Sequence, residues 1–215
     1  MGKYLVFIDD DCSVHPDLLQ SFRKHLSDGA QRALGGNTLN ALRENIFAEA
    51  SQELISYLYQ FYASNPSRTR FFTASNLAVH GGAFRSIGGF DESFPLAGGE
   101  DRDLCERWLQ NGFSLVHVPD AVVLHKHHLS LGRFVQQHFT YGRGARHLHQ
   151  ARERRGGTPV KLERGGFYPG LLRFAFTRGH GSRAPLIAIL LVLSQVAYAA
   201  GFLRERHFSS VASNH

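Results

Sequence analysis

Apolar positions in this chain fall into short unbroken runs separated by longer amphipathic stretches. Tyr4-Leu5-Val6-Phe7-Ile8 is rich in strand formers and predicts a buried parallel strand. It stops abruptly at Asp9-Asp10-Asp11. Pro16 and Asp17 then open a helix that places Leu18, Leu19, Phe22 and Leu26 on one face, with Gly29 at its exit. Ala33 to Leu39 reads as a second, glycine-weakened strand. A long amphipathic helix is expected from Ala41 to Ala63, ending before Pro66. Phe71 to Val79 reads as extended, Gly81 to Ile87 as a short helix, and Gly88 to Gly99 as a glycine-rich loop. A helix follows from Glu100 to Asn111, then strands at Ser114–His117 and Ala121–Leu124, then a helix starting near Ser130. Strands alternating with helices predict an α/β layer structure.

One run breaks this pattern. From Ala184 to Leu203, twenty residues carry no charge, about the length of a helix crossing a ~30 Å bilayer core. Ser194 and Gln195 interrupt its middle, and a buried or interfacial helix fits the same run. Arginines flank both ends (Arg178 and Arg183, Arg204 and Arg206), so charge does not set an orientation. The net charge of +6 sharpens the picture, because it is unevenly placed. Tyr141 to Arg183 holds ten Lys or Arg against two acids, a local balance of +8 just ahead of the apolar run. With no nucleic-acid motif beside it, anionic lipid headgroups or phosphate are the expected partners, and nucleic acid is not. Cys12 and Cys105 are too few for a disulfide framework, which fits a reducing, cytosolic compartment. Met1-Gly2-Lys3 leads straight into the first strand, so no secretory signal peptide is predicted.

Three polar clusters are candidates for chemistry. Carboxylates crowded at the end of an apolar strand repel one another and cost desolvation. Asp9 and Asp11, as alternate residues of an extended chain, would point the same way and suit a hard cation such as Mg²⁺ or Mn²⁺; a solvated acidic turn is the plainer alternative. Gly98-Gly99-Glu100-Asp101-Arg102-Asp103 sets acids at a loop-to-helix junction. Such acids stabilise a helix dipole, and a carboxylate held there also suits a general base. His125-Lys126-His127-His128 leaves an apolar strand, where His125 could complete a metal shell or serve only as a polar exit.

Taken in order, these segments resemble the family 2 glycosyltransferases over roughly residues 3 to 145. The matching elements are Val6-Phe7-Ile8-Asp9-Asp10-Asp11 with His15-Pro16-Asp17-Leu18-Leu19, then Thr73-Ala74-Ser75-Asn76-Leu77-Ala78. Ile87-Gly88-Gly89-Phe90-Asp91-Glu92, Gly98-Gly99-Glu100-Asp101-Arg102-Asp103-Leu104 and the strand leading to His125 complete the set. The resemblance implies a partial GT-A fold: a Rossmann-like mixed sheet flanked by helices, followed by a C-terminal hydrophobic helix. It implies an inverting transfer of sugar from a nucleotide-sugar donor to a hydroxyl of a glycan, lipid or other acceptor. Asp9 and Asp11 would meet the donor and a Mg²⁺ or Mn²⁺ ion, with Asp10 sharing the load and His125 completing the shell. Asp101 would be the base, with Glu100 its neighbour. Asn76, Gly89 and Asp91 would shape the substrate pocket, while Gln137 and Arg143 would close over the donor.

The expected organisation is a metal-binding and catalytic part over residues 1–150 and a basic linker over 151–183. A membrane-associated or transmembrane helix over 184–203 and a polar tail over 204–215 would follow. The catalytic part would be cytoplasmic. Family members carry βα units ahead of the Asp-x-Asp strand, so the chain is expected to be N-terminally truncated or to pair with a partner chain. The rival expectation is a non-catalytic, membrane-associated remnant that binds a partner or glycan.

Overall fold

A computed structural model describes residues 2–26, 31–63, 71–157 and 166–212. The expected helix exits at Gly29 and Pro66, and residues 158–165 of the basic stretch, lie outside these. The chain forms two compact units. One is assembled from residues 1–43, 62–91 and 101–127, and the other from 44–61, 92–100 and 128–215.

The first unit is built on a five-stranded mixed sheet. Its strands are β1 (Tyr4–Ile8), β2 (Cys12–Val14), β3 (Arg32–Asn40), β4 (Asn76–His80) and β5 (Ser114–His125), in the order β1-β4-β3-β5-β2. β3 and β5 are parallel, and every other pairing is antiparallel. β1, β3 and β5 therefore run the same way and end on one edge, the edge where ligands bind in open α/β sheets. Helices α1 (Leu18–Arg23), α3 (Gly81–Ser86) and α4 (Glu100–Gln110) accompany the sheet. Leu18 and Phe22 of α1 pack with Leu34, Ala78, Val118, Ala121 and Val123 to form its core.

Several expectations need correction. β1 is an edge strand among the described residues, antiparallel to β4, and not a buried parallel strand. An apolar run reports covered faces but not the direction of a neighbour, and Val6 is 38% exposed. Leu19 is 65% exposed, because α1 spans under two turns and buries only the side carrying Leu18 and Phe22. The long helix begins at Ile46 rather than Ala41. Asn45 accepts the Ala48 N–H at 2.9 Å, a side-chain cap that starts the helix there. The two strands expected around Pro119 are one, β5, with an irregularity where Gly36 pairs with Val118 but Asn37 pairs with Val122. Pro119, which has no N–H to give, sits in the surplus segment.

The second unit is helical: α2 (Ile46–Ala63), α5 (Leu131–Arg154), α6 (Phe167–Thr177) and α7 (Ala184–Ala212), with a 3₁₀ turn at Gly181–Arg183. The stretch read as a basic linker thus contains the end of α5 and all of α6. Leu54, Tyr57, Phe134, Phe167, Leu171, Phe174, Ile187 and Leu191 share one core. Tyr57 donates its hydroxyl to the Phe167 carbonyl at 2.6 Å. Among the described residues one helix, Gly181–His207, is long and apolar enough to cross a membrane. One face of it is packed inward through Ile187, Leu190, Leu191 and Ser194, while Ile189, Val196 and Leu203 are exposed.

Candidate metal and transfer site

The pairing of β2 with β5 creates the site. Its register sets Cys12 opposite His125, so Asp11, one residue earlier, meets a histidine 114 positions away. The Lys126 N–H donates to the Asp11 carbonyl at 2.9 Å and the Cys12 N–H to the Asp9 carbonyl at 3.0 Å. The three aspartates therefore form the turn from β1 into β2. This corrects the extended Asp-x-Asp expected from sequence. The chain must reverse within three residues to pair with β5, and a turn does not alternate its side chains as a strand does.

Asp11 Oδ2 lies 3.0 Å from His125 Nε2. Asp11, His125 and His127 each offer one ligand atom, all within 4.8 Å of one another. The rings of His125 and His127 are 5.1 Å apart. Asp11 Oδ1 is buried and has no hydrogen-bond partner. A buried carboxylate oxygen without a donor is costly, and one oxygen with two imidazole nitrogens is a donor set that suits a divalent cation. Asp9 stands at the surface, yet atoms crowding its carboxyl, and next the charge of Asp11, push it above its ordinary value. Asp9, Asp11 and Asp10 also raise the Cys12 thiol, after burial, to about 11, so it is inert as a thiolate near neutral pH. His127 carried no weight in the sequence reading. The signal for it was the alternate spacing His125-x-His127 where an extended strand ends.

Asn76 opens β4 and is buried. Its amide donates to the carbonyls of Asn37 at 2.9 Å and Ala121 at 2.8 Å, clamping the β3–β5 irregularity. The Gly88-Gly89 turn has positive φ at both glycines, which L side chains rarely adopt. Arg107 of α4 holds that turn, donating to the Ile87 carbonyl at 2.8 Å and the Gly89 carbonyl at 2.7 Å, and to the buried Asp103 at 2.7 Å. Asp91 follows the turn and is half-buried. Asp101, half-buried in the first turn of α4, accepts the Arg102 N–H at 2.7 Å.

Glu100 turns back to accept the Gly98 N–H at 2.6 Å. Gly98 and Gly99 sit against Tyr141 and Gly144 of α5, where a Cβ on Gly144 would collide with the Gly98 carbonyl. Gln137 donates to Ser51 at 3.0 Å, and Arg143 is paired with Glu205 at 2.6 Å. Those two residues are therefore engaged with α2 and α7 of their own unit.

A family model described as glycosyl transferase family group 2 matches residues 4–208. Two curated relatives are the pre-mycofactocin glycosyltransferases of Mycobacterium tuberculosis strains CDC 1551 / Oshkosh and ATCC 25618 / H37Rv. Each is 25% identical over 200 residues, covering 91% of this chain and 42% of its own length. The chain thus spans less than half the length of these relatives. Among solved structures, the mannosyltransferase PcManGT from Pyrobaculum calidifontis, in complex with GDP-Man and Mn²⁺, matches with a TM-score of 0.47 and 14% identity. That match covers 100% of this chain and 55% of the other. GalNAc-T7 with UDP, GalNAc and Mn²⁺ matches with a TM-score of 0.44 and 13% identity, over 84% of this chain and 42% of the other. With the family model running almost from end to end, the chain belongs to glycosyl transferase family group 2.

Proposed function

We propose that these residues supply the metal-binding and base-bearing part of an inverting glycosyltransferase that moves a sugar from a nucleotide-sugar donor to an acceptor hydroxyl. The observation that carries the reading is the Asp11, His125 and His127 cluster, with its buried and unpartnered Asp11 oxygen. Asp11 and His125 would hold Mg²⁺ or Mn²⁺, joined by His127, with Asp9 and Asp10 beside them toward the donor. When bound, such an ion neutralises charge on the departing nucleoside diphosphate.

The remaining roles belong to this chain's own side chains. Asp101 accepts the acceptor's proton as its oxygen attacks the anomeric carbon, and the bond to the diphosphate breaks in the same step. Inversion follows from that single displacement. Glu100 fixes the approach to α4 by holding Gly98. Arg107 holds the Gly89 turn, and with it Asp91, in place for the acceptor. Asn76 keeps β5, which ends at His125, in register. The membrane tie is assigned to α7, whose outward residues Ile189, Val192, Val196 and Leu203 are apolar, with the transferase part on the cytoplasmic side. Because the chain spans less than half of its curated relatives, the activity is proposed for the full-length enzyme to which it contributes.

Titrating the chain with Mn²⁺ and following the free-ion paramagnetic resonance signal tests the carrying observation. The wild type is expected to take up Mn²⁺ and Asp11→Asn to lose at least tenfold in affinity, in line with ~10–100-fold effects of disturbing metal-site residues. Equal uptake by wild type and Asp11→Asn would rule out this cluster as the ion's seat.

A further inference from the structure

Helices α6 and α7 turn large apolar side chains outward. Leu186, Ile189, Val192, Val196 and Leu203 follow one another at steps of three, four or seven residues, so they line one side of α7. Each is at least 48% exposed. At 1.5 Å per residue the stripe runs for about 26 Å. Packed beside α7 in the same unit, α6 presents Tyr168, Leu172 and Phe176, again on one side of a helix. Apolar surface of this extent marks a place of contact with something else.

The charges around the stripe have one sign. Between Phe167 and His207 the chain carries five arginines and one acid, Glu205. Glu205 lies on the opposite side of α7, paired with Arg143 at 2.6 Å and only 13% exposed. Arg173, Arg178, Arg204 and Arg206 are exposed. A second copy docked by symmetry would set one positive rim against another, which is unfavourable. An anionic lipid surface satisfies both parts of the pattern. Acyl chains take the stripe, and headgroups take the arginines, whose long stems let the charge reach them.

The inner side of α7 decides how the helix lies. Ile187 and Leu191 share the core with Phe134 and Leu171. Further along, Tyr198 and Gly201 meet the backbone of α5 at Gly142 and Phe139, and Glu205 holds Arg143. A helix crossing the bilayer in this packing would take α5 with it, including Arg133, Arg143 and Arg146, and charged side chains are costly in hydrocarbon. We propose that α7, with α6 beside it, lies in the plane of an anionic membrane, its outer stripe seated between headgroups and acyl chains. The inference rests on the membrane tie assigned above and adds its geometry and its lipid class.

Flotation of the full chain with vesicles tests the lipid class. Binding to equal parts phosphatidylcholine and phosphatidylglycerol should be at least about tenfold tighter than to phosphatidylcholine alone. Ile189→Glu with Val196→Glu, both at exposed positions, should weaken it by about tenfold or more. The geometry is read from nitroxide labels on Ile189→Cys, Val196→Cys and Leu203→Cys, one at a time in a Cys12→Ser background, Cys105 being buried. These positions are seven apart and share one line along the helix. An in-plane helix sets all three labels at one depth, whereas a crossing helix sets Val196 about 10 Å deeper than the other two. Depths that peak at Val196 would overturn the in-plane helix and leave the membrane tie standing. Equal binding to both vesicles would overturn the lipid class, and flotation with neither would remove the membrane tie as well. A dimer in solution that Ile189→Glu dissociates would mark the stripe as a contact between copies instead.

Discussion

His138 lies buried in α5, with its ring 4.4 Å from Phe134 and 5.9 Å from Tyr141. Burial disfavours its charged form and brings its pKa down to about 4. An unfolded chain titrates this group near its ordinary value, so between about pH 6.5 and 4 the unfolded state binds more protons. Stability is therefore intact above that window and falls as pH drops through it, by up to about 3 kcal/mol from this residue alone. Denaturant unfolding at pH 7 and pH 4.5 should show the loss in wild type, and His138→Phe should reduce it. Such residues were not legible in the sequence, where thirteen histidines look alike. Asp11 and His125 were legible as polar exits from apolar strands and were expected to share a metal shell; the strand pairing that sets them side by side was not legible, because β2 is only three residues long and carries no periodicity of its own.

At the scale of elements, Asn76 shows how a motif residue can do structural work. Its one amide donates to two carbonyls on different strands, at the point where β3 and β5 lose register. Asn76→Ala leaves both acceptors without that donor and is expected to cost roughly 2–6 kcal/mol, at about 1–3 per stranded group. Thermal and denaturant unfolding measure it, and a change under 1 kcal/mol would contradict the clamp. Helix α7 makes the complementary case. It meets α5 so closely that a Cβ on Gly142 would collide with the Tyr198 carbonyl, and one on Gly201 with the Phe139 carbonyl. Backbone cannot rotate away as a side chain can, so Gly142→Ala should destabilise by at least about 1–3 kcal/mol. Gly132→Ala, in the same helix with open space around it, should instead be neutral or stabilise by up to ~1 kcal/mol. The apolar run of α7 was plain in the sequence. Its glycine-lined inner face was not, since close approach leaves no mark on hydrophobicity.

For the whole molecule, the order of motifs carried more than periodicity did. Strand direction, the merged β5 and helix α6 all escaped a residue-by-residue reading, because each depends on partners distant in the chain. The ordered segments from Val6 to His125 nevertheless pointed to the family that the match over residues 4–208 establishes. What that family membership leaves to be tested is the division of labour between Asp11 and Asp101. In an active enzyme containing this chain, Asp101→Asn removes the proposed base while keeping the side chain's size and leaving the Asp11 cluster untouched. Sugar transfer should fall by about 10²–10⁴-fold, with Mn²⁺ affinity unchanged. Transfer at the wild-type rate in Asp101→Asn would contradict the assignment of the base, and with it the proposed mechanism.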